Sequence, residues 1–520
     1  MKAKNLLMIV ADDMGAWAMG TSPNLDVITP CLDRLADEGA YFENFYCASP
    51  VCSPARASIL TGLMPSAHGV FDWLRSGNID RSEIPESLVQ EPLFADEDGS
   101  IDYLEGLECY SERLAEAGFD CRLSGKWHLG QSQAIGHGFR SDFCIARGGC
   151  YYMRPDVYRN RTLQFEDAYI TDLISDDACK QIDELAQSDR PFYLAVHYTA
   201  PHTPWGEDQH PAEYWRLYEN CTFDASPKMA THPWQVPSCE QPREPGPELR
   251  AKAAAGEAAG IEAVERFEAD RRRLLRGYYT AITAMDAGIA RILDRLDEHG
   301  LSDQTWICFV SDNGMNLGQH GLWGKGNASF PLNLYETSCK VPCIMRLPGV
   351  IPAALRVKDL HSHLDFFPSI LECFELEAKI DTPLRAGRSL WPSLMNSQPS
   401  PSSIPAGEVC VVDEYGPNRM IRRGNFKLIR RYPYGPDELY DLAQDPEEQI
   451  NLINDSNHSQ VRHDLDVALH RWADEHLDPR RDGCREAVTG SGQLGLAAER
   501  ATGPVYADRD LPLEYFERKT

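Results

Sequence analysis

Apolar positions along this chain follow two periods. Continuous apolar runs at residues 5–10, 192–198 and 305–310 are bounded by polar residues and predict strands covered on both faces of a sheet. Shorter runs at 119–123 and 343–347 predict two more. Between these runs apolar residues recur every three or four positions, first at Leu107, Tyr110 and Leu114, later at Tyr279, Ile282, Met285, Ile289, Ile292 and Leu296. That spacing predicts amphipathic helices, with Gly118 and Gly300 as stops. Further helices are predicted at 167–185 and 365–374. Alternating strands and helices imply an α/β fold, a large mixed sheet flanked by helices on both faces.

The pattern changes near residue 396. Residues 396–406 are rich in Ser and Pro and read as a linker. Beyond them, short strands at 408–413, 418–422 and 426–431, separated by Gly-containing turns, predict a smaller C-terminal antiparallel-sheet subdomain. Val461, Leu465, Leu469 and Trp472 place an apolar face on a helix able to cover it. The expected units are therefore 1–396 and 407–520. Within the first, residues 206–246 are rich in Pro, His and Trp and read as an insertion along the site's rim. Residues 247–276 read as a solvent-facing helix with breaks.

Composition narrows the function. With 520 residues and 42% hydrophobic content the chain can build one large core and a smaller one. A formal charge of −28 repels nucleic acid and anionic membrane, so an anionic substrate needs a local cluster of cations. Sixteen cysteines without a Cys-x-x-Cys pair match a reduced complement. The apolar run after Met1 is too short for a signal peptide or a membrane span. The expected location is the cytoplasm, unless a leader peptide has been removed.

The stretch from Val51 to Gly62 carries the strongest chemical signal. Ser53 is positioned to cap a short helix, Pro54 suits its first turn and Gly62 its end. Helix-start amides and Arg56 would favour an anion beside Cys52. Asp12, Lys126, His202 and Asp312 each follow a different predicted strand, and ligands of open α/β sheets bind outside the strands' carboxyl ends. Taken singly, these residues also fit a structural cysteine, solvated turns and surface charges.

Together they resemble the sulfatase family. The resemblance rests on Cys52-x-Pro-x-Arg56 with Leu60-Thr61-Gly62, the Asp12–Asp13 pair, Gly125-Lys126-Trp127-His128, Pro201-His202-x-Pro204, Asp312-Asn313-Gly314 and Lys325. It implies an alkaline-phosphatase-like fold and hydrolysis of sulfate esters. It further implies that Cys52 is oxidised to formylglycine by a formylglycine-generating or anaerobic sulfatase-maturating enzyme. Asp12, Asp13, Asp312 and Asn313, with the Cys52-derived group, would hold a metal ion; oxygen donors suit a hard cation, and the family points to Ca²⁺ before Mg²⁺. By the same resemblance Arg56, Lys126 and Lys325 hold the sulfate, His202 is the general acid and His128 the base. In the loop at 66–78, Trp73 offers a face to a sugar ring while Arg75 and Asn78 offer hydrogen bonds, so the expected substrate is a sulfated carbohydrate. The alternatives are a phosphodiester or phosphonate monoester hydrolase of the same superfamily, or an anion-binding protein with an unmodified Cys52.

Overall fold

The structure, a computed structural model, describes residues 3–507 apart from 23, 87, 238–239, 396–406, 414–417, 433–434, 483–487 and 498–499. The first apolar run forms the strand Asn5–Ala11, which lies inside a ten-stranded mixed sheet with all its residues buried. Thr305–Ser311 and Phe192–His197 flank it in parallel. Val10 pairs with Val310 on one side and with His197 on the other, so the carboxyl ends of all three strands stop at one level. Asp120–Lys126 runs parallel to Phe192–His197, and Cys343–Arg346 lies antiparallel to Thr305–Ser311.

Alternate residues of the central strand face opposite cores, as the period-two geometry of a strand requires. Leu6, Met8 and Val10 pack in one core with residues of the helices Cys52–Thr61, Tyr110–Glu116 and Phe366–Cys373. Leu7, Ile9 and Ala11 pack in the other with the helices Ile170–Leu185 and Ala258–Glu298. Helices on both faces thus match the expected α/β architecture.

Two local expectations are corrected. The strand expected to end at residue 123 continues to Lys126, because Ser124 and Gly125 still pair with Val196 and His197. Gly125 makes this possible: at φ +104° it sits where an added Cβ would lie 2.1 Å from the His197 carbonyl oxygen. The second concerns the solvent-facing helix with breaks expected at 247–276: a break does occur, at 255–257, but the piece beyond it is continuous with the amphipathic helix expected from Tyr279. After the short helix Pro247–Ala254, one continuous helix of 41 residues runs from Ala258 to Glu298. Gly277, inside it, serves packing instead of a break, since a Cβ there would approach the Trp205 carbonyl oxygen to 2.3 Å.

The C-terminal strands Glu408–Asp413, Asn418–Arg423, Phe426–Arg431 and Glu438–Asp441 form a separate antiparallel sheet in chain order. Its last strand escaped sequence reading because only Leu439 and Tyr440 are apolar. The helix Ser459–His476 covers the sheet through Leu465, Leu469 and Trp472, which pack with Ile421 and Leu428. The linker expected at 396–406 lies outside the described residues. No helix among the described residues is long and apolar enough to cross a membrane.

Charge joins the small sheet to the rest of the fold. Lys427, fully buried, places its Nζ 2.7 Å from Glu448 and 3.0 Å from Glu336. Arg422 reaches Glu336 at 3.2 Å. Against the cost of burial, Lys427 and Arg422 hold the Glu336 carboxyl down at about 2. Removing one partner of a buried ion pair leaves the others uncompensated, at a cost of about 3–5 kcal/mol. Lys427→Met is therefore expected to lower stability by about that amount, read as a shift of the denaturant midpoint at pH 7.

Candidate active site

The common level of the three parallel strands sets the site. Asp12 and Asp13 follow Asn5–Ala11, Asp312 and Asn313 follow Thr305–Ser311, and Lys126 closes the neighbouring parallel strand Asp120–Lys126. Carboxylate oxygens of Asp12, Asp13 and Asp312 lie within 4.8 Å of one another, all three residues buried. Asp13 adopts a left-handed φ of +68°. Its amide donates to Asp312 Oδ1 at 3.1 Å and its carbonyl accepts from the Tyr278 hydroxyl at 2.9 Å, which pins this unusual backbone.

Each acid has a cation against it. Lys126 Nζ lies 2.5 Å from Asp12 Oδ2, Arg56 Nε 2.9 Å from Asp312 Oδ2, and Lys325 Nζ 2.6 Å from Asp13 Oδ1. Against the cost of burial, the charges of Lys126, His202, Arg56 and Lys325 together hold Asp12 well below the usual carboxylate range. Asp312 goes the other way, pushed up to about 7 by burial and the Asp12 charge. Asp12 Oδ1 and Asn313 Oδ1 are buried without a hydrogen-bond partner. Unpartnered buried oxygens are costly, and an all-oxygen donor set fits a hard divalent cation.

Cys52 is itself the first residue of the helix Cys52–Thr61, with Val51 in the cap position. The expected Ser53 cap is absent. Ser53 Oγ instead accepts a hydrogen bond from the Leu74 amide at 3.1 Å. Gly62 ends the helix as expected, left-handed at φ +67°, its amide donating to Ser58 O. Cys52 is 2% exposed, and its Sγ lies 2.7 Å from Lys325 Nζ. Burial and the Asp12 charge push the thiol well above its ordinary value, so no thiolate is poised here.

A cleft of about 910 Å³ opens over Cys52, Asp13, Lys325, His128 and His202. His128 Nε2 lies 3.0 Å from Leu74 O, which places the ring proton there and leaves Nδ1 without a partner. Burial and Lys126 keep this imidazole neutral. Gly148 makes room for it, since a Cβ at that position would come 2.0 Å from His128 Nε2. His202 Nδ1 lies 2.7 Å from Thr203 O, and its Nε2 is 3.7 Å from Asp13 Oδ2. Arg56 and Lys126 lie behind this floor, both buried, with Arg56 Nε on Asp312, Lys126 Nζ on Asp12, and Arg56 Nη2 left without a partner.

Trp73, Arg75 and Asn78 do line the cleft. Arg75 Nε is paired with Asp96 at 2.6 Å, and Asn78 commits its amide nitrogen to Glu97 at 3.0 Å. Sequence reading missed Glu97, Arg147 and Glu240 in the cleft wall and Tyr278 beneath Asp13. Each lies on a segment with no motif around it, so only the fold brings it in.

Oxygen donors short of partners beside buried cations, under an open cleft with two imidazoles, suit the cleavage of an anionic ester assisted by a metal ion. The class is thus a metal-dependent hydrolase of anionic esters. The chain belongs to the sulfatase family, whose model matches residues 4–376, and a second model, N-sulphoglucosamine sulphohydrolase, C-terminal, matches residues 318–475. It is a sulfuric ester hydrolase, of a family that works with a metal ion and formylglycine. Similar proteins include the N-acetylglucosamine-6-O-sulfatase of Bacteroides thetaiotaomicron, 26% identical over 96% of this chain and 91% of the relative. The choline-sulfatase of Rhizobium meliloti is 26% identical over 86% of this chain and 82% of that one. Among solved structures, one in complex with its substrate D-glucosamine-2-N,6-O-disulfate superposes with a TM-score of 0.68 at 23% identity, covering 93% of this chain and 99% of the other. The phosphonate monoester hydrolase of Agrobacterium radiobacter has a TM-score of 0.63 at 21% identity, covering 91% and 96%.

The donor set predicts that purified protein carries a divalent ion detectable by elemental analysis. Asp12→Asn and Asp312→Asn are each expected to lower that content and the melting temperature together.

Proposed function

We propose that this enzyme hydrolyses a sulfate monoester of a carbohydrate, with Cys52 matured to formylglycine and Ca²⁺ held by Asp12, Asp13, Asp312 and Asn313. The observation that carries the reading is Cys52 itself. It stands at a helix start, 2.7 Å from Lys325 and beside the acid cluster, yet burial denies it the thiolate that a cysteine nucleophile needs. Matured to a hydrated aldehyde, position 52 supplies one oxygen for attack on sulfur and a second whose collapse expels sulfate. The bound ion would supply Lewis-acid polarisation of the sulfate oxygens.

The remaining chemistry belongs to the chain's own side chains. Lys325 holds positive charge on the cleft side of Asp13, where the sulfate's nonbridging oxygens come to lie. Arg56 and Lys126 hold Asp312 and Asp12 in place from behind, and Lys126 helps keep Asp12 ionised. His202, fixed by its Nδ1–H donation to Thr203 O, turns Nε2 to the site; as the imidazolium, with Asp13 and Asp12 beside it favouring the second proton against burial, it delivers the Nε2 proton to the leaving alcohol and is left as the Nδ1–H tautomer. His128, neutral and held by Leu74 O, is the base for release of sulfate. A sulfated saccharide suits the cleft's size, Trp73 and the named carbohydrate sulfatases among the relatives. The partner reading is a formylglycine-generating or anaerobic maturating enzyme acting on Cys52.

Peptide mass spectrometry of active protein should find the aldehyde at position 52, and Cys52→Ala should abolish turnover; full activity from thiol-only protein would overturn the reading. For His202, loss of a general acid costs about 10²–10⁴-fold. His202→Ala is expected to show that loss on a carbohydrate sulfate and much less on an aryl sulfate, whose leaving group departs without protonation. Equal losses would remove the acid role.

A further inference from the structure

The cleft has a wall that arrives from the far end of the chain. Gly490 and Ser491 line it together with Asp13, Cys52 and Lys325. Both lie beyond residue 475, where the matched sulfatase regions end. What holds this segment in place is Gln493, fully buried, 422 positions from its partner Phe71. Its Oε1 accepts from the Phe71 amide at 2.9 Å and the Asp72 amide at 3.4 Å, while its Nε2 donates to Gly69 O at 3.1 Å and Gly495 O at 2.8 Å. All four capacities of the amide are therefore used, three on the loop and one on the tail itself.

The backbone repeats the attachment. Gln493 N donates to Trp73 O at 2.8 Å and accepts, through its carbonyl, from Arg75 N at 3.0 Å, a parallel bridge centred on Leu74. The Gly492 amide donates to Asp72 Oδ2 at 3.0 Å. Gly492 has to be glycine: at φ +110° an added Cβ would meet the Arg75 side chain at 2.8 Å. Val488 packs in one apolar cluster with Trp73. The tail then doubles back, Leu494 donating to Val505 O and Ala507 to Gly492 O.

Leu74 is the hinge of the arrangement. Its neighbours' groups bind the tail, while its own amide goes to Ser53 Oγ, next to Cys52, and its carbonyl to His128. One extended residue thus joins the tail to the catalytic floor. Trp73 and Arg75, on either side, stand against Ser491 at the cleft, where the Arg75 guanidinium donates to Ser491 O at 3.4 Å. Such a tether is more than packing requires. It fixes Ser491 in the same cleft as Cys52 and Lys325.

We propose that residues 490–493 form a substrate-selecting strap, with Ser491 and Trp73 as the surfaces that hold the alcohol part of a sulfate ester larger than a single aryl ring. The inference rests on the sulfatase assignment and extends it to the side of the cleft away from sulfur. Ser491 is the specificity residue and Gln493 its positioning residue.

The test is a size series of sulfate esters, from a single-ring aryl sulfate through bulky aryl sulfates to mono- and disaccharide sulfates, on the full-length matured enzyme and on Ser491→Trp and Ser491→Ala. Both variants keep every backbone bond of the strap. Ser491→Trp is expected to lower the ratio of kcat/KM for the large esters to that for the single-ring ester by about tenfold or more, mainly through KM. Ser491→Ala should shift the same ratio in the same direction by less. Equal losses along the series, or no change in the ratio, would overturn the strap. If the wild-type enzyme turns over no saccharide sulfate, the carbohydrate reading fails by itself, and the bulky aryl esters still decide the strap.

Discussion

The register of three parallel strands is the constraint on which the rest of this structure depends. Asn5–Ala11 pairs with Thr305–Ser311 and Phe192–His197 so that residue 10 faces residues 310 and 197. A slip of one residue would turn every side chain to the opposite face. It would also carry Asp12 or Asp312 into apolar packing. Three carboxylates share one small buried volume only because Lys126, Arg56 and Lys325 come to the same level from other elements. Isolated buried charges of either sign would be prohibitive. Sheet register and charge balance are therefore one specification, met by strands remote in sequence.

The balance is uneven, and its unevenness fits a cation site. Asp12 is held ionised while Asp312 is pushed up to about 7, and two oxygens of the cluster have no partner. A cluster built solely for stability would satisfy every oxygen or replace the acids with apolar side chains. Here the donors stay preformed beneath Cys52, with Tyr278 and the Asp312 carboxylate fixing the Asp13 backbone.

Much of the catalytic floor was legible in the sequence because each element of it sits at a strand end or helix start marked by its neighbours. The runs at 5–10 and 305–310 announced buried strands, and the acids follow them directly. Cys52 was legible through Pro54, Arg56 and Gly62, although the cap fell two residues earlier than Ser53 implied. Lys126 was found but placed after its strand, since Ser124 and Gly125 break the apolar run that the hydrogen bonds continue. What stayed hidden was everything decided by distant pairing. Glu97 and Gln493 are polar residues in segments without periodicity, and nothing local tells a buried tether from a surface side chain. The 41-residue helix was likewise read as two pieces, because its exposed first half carries charge instead of an apolar stripe.

The bond between Phe71 and Gln493 also orders events in time. The loop carrying Trp73 is made early, beside the nucleophile helix, but its partner lies 422 positions later. At synthesis rates of about 5–20 residues per second, that gap is roughly 20–80 s. During it the central sheet can gather its strands one by one, and once Asp312 and Lys325 have emerged the cleft has a floor and still no far wall. The nascent chain therefore passes through a stage in which the centre for sulfur chemistry is nearly whole and unguarded. Selectivity is the last property this polypeptide acquires.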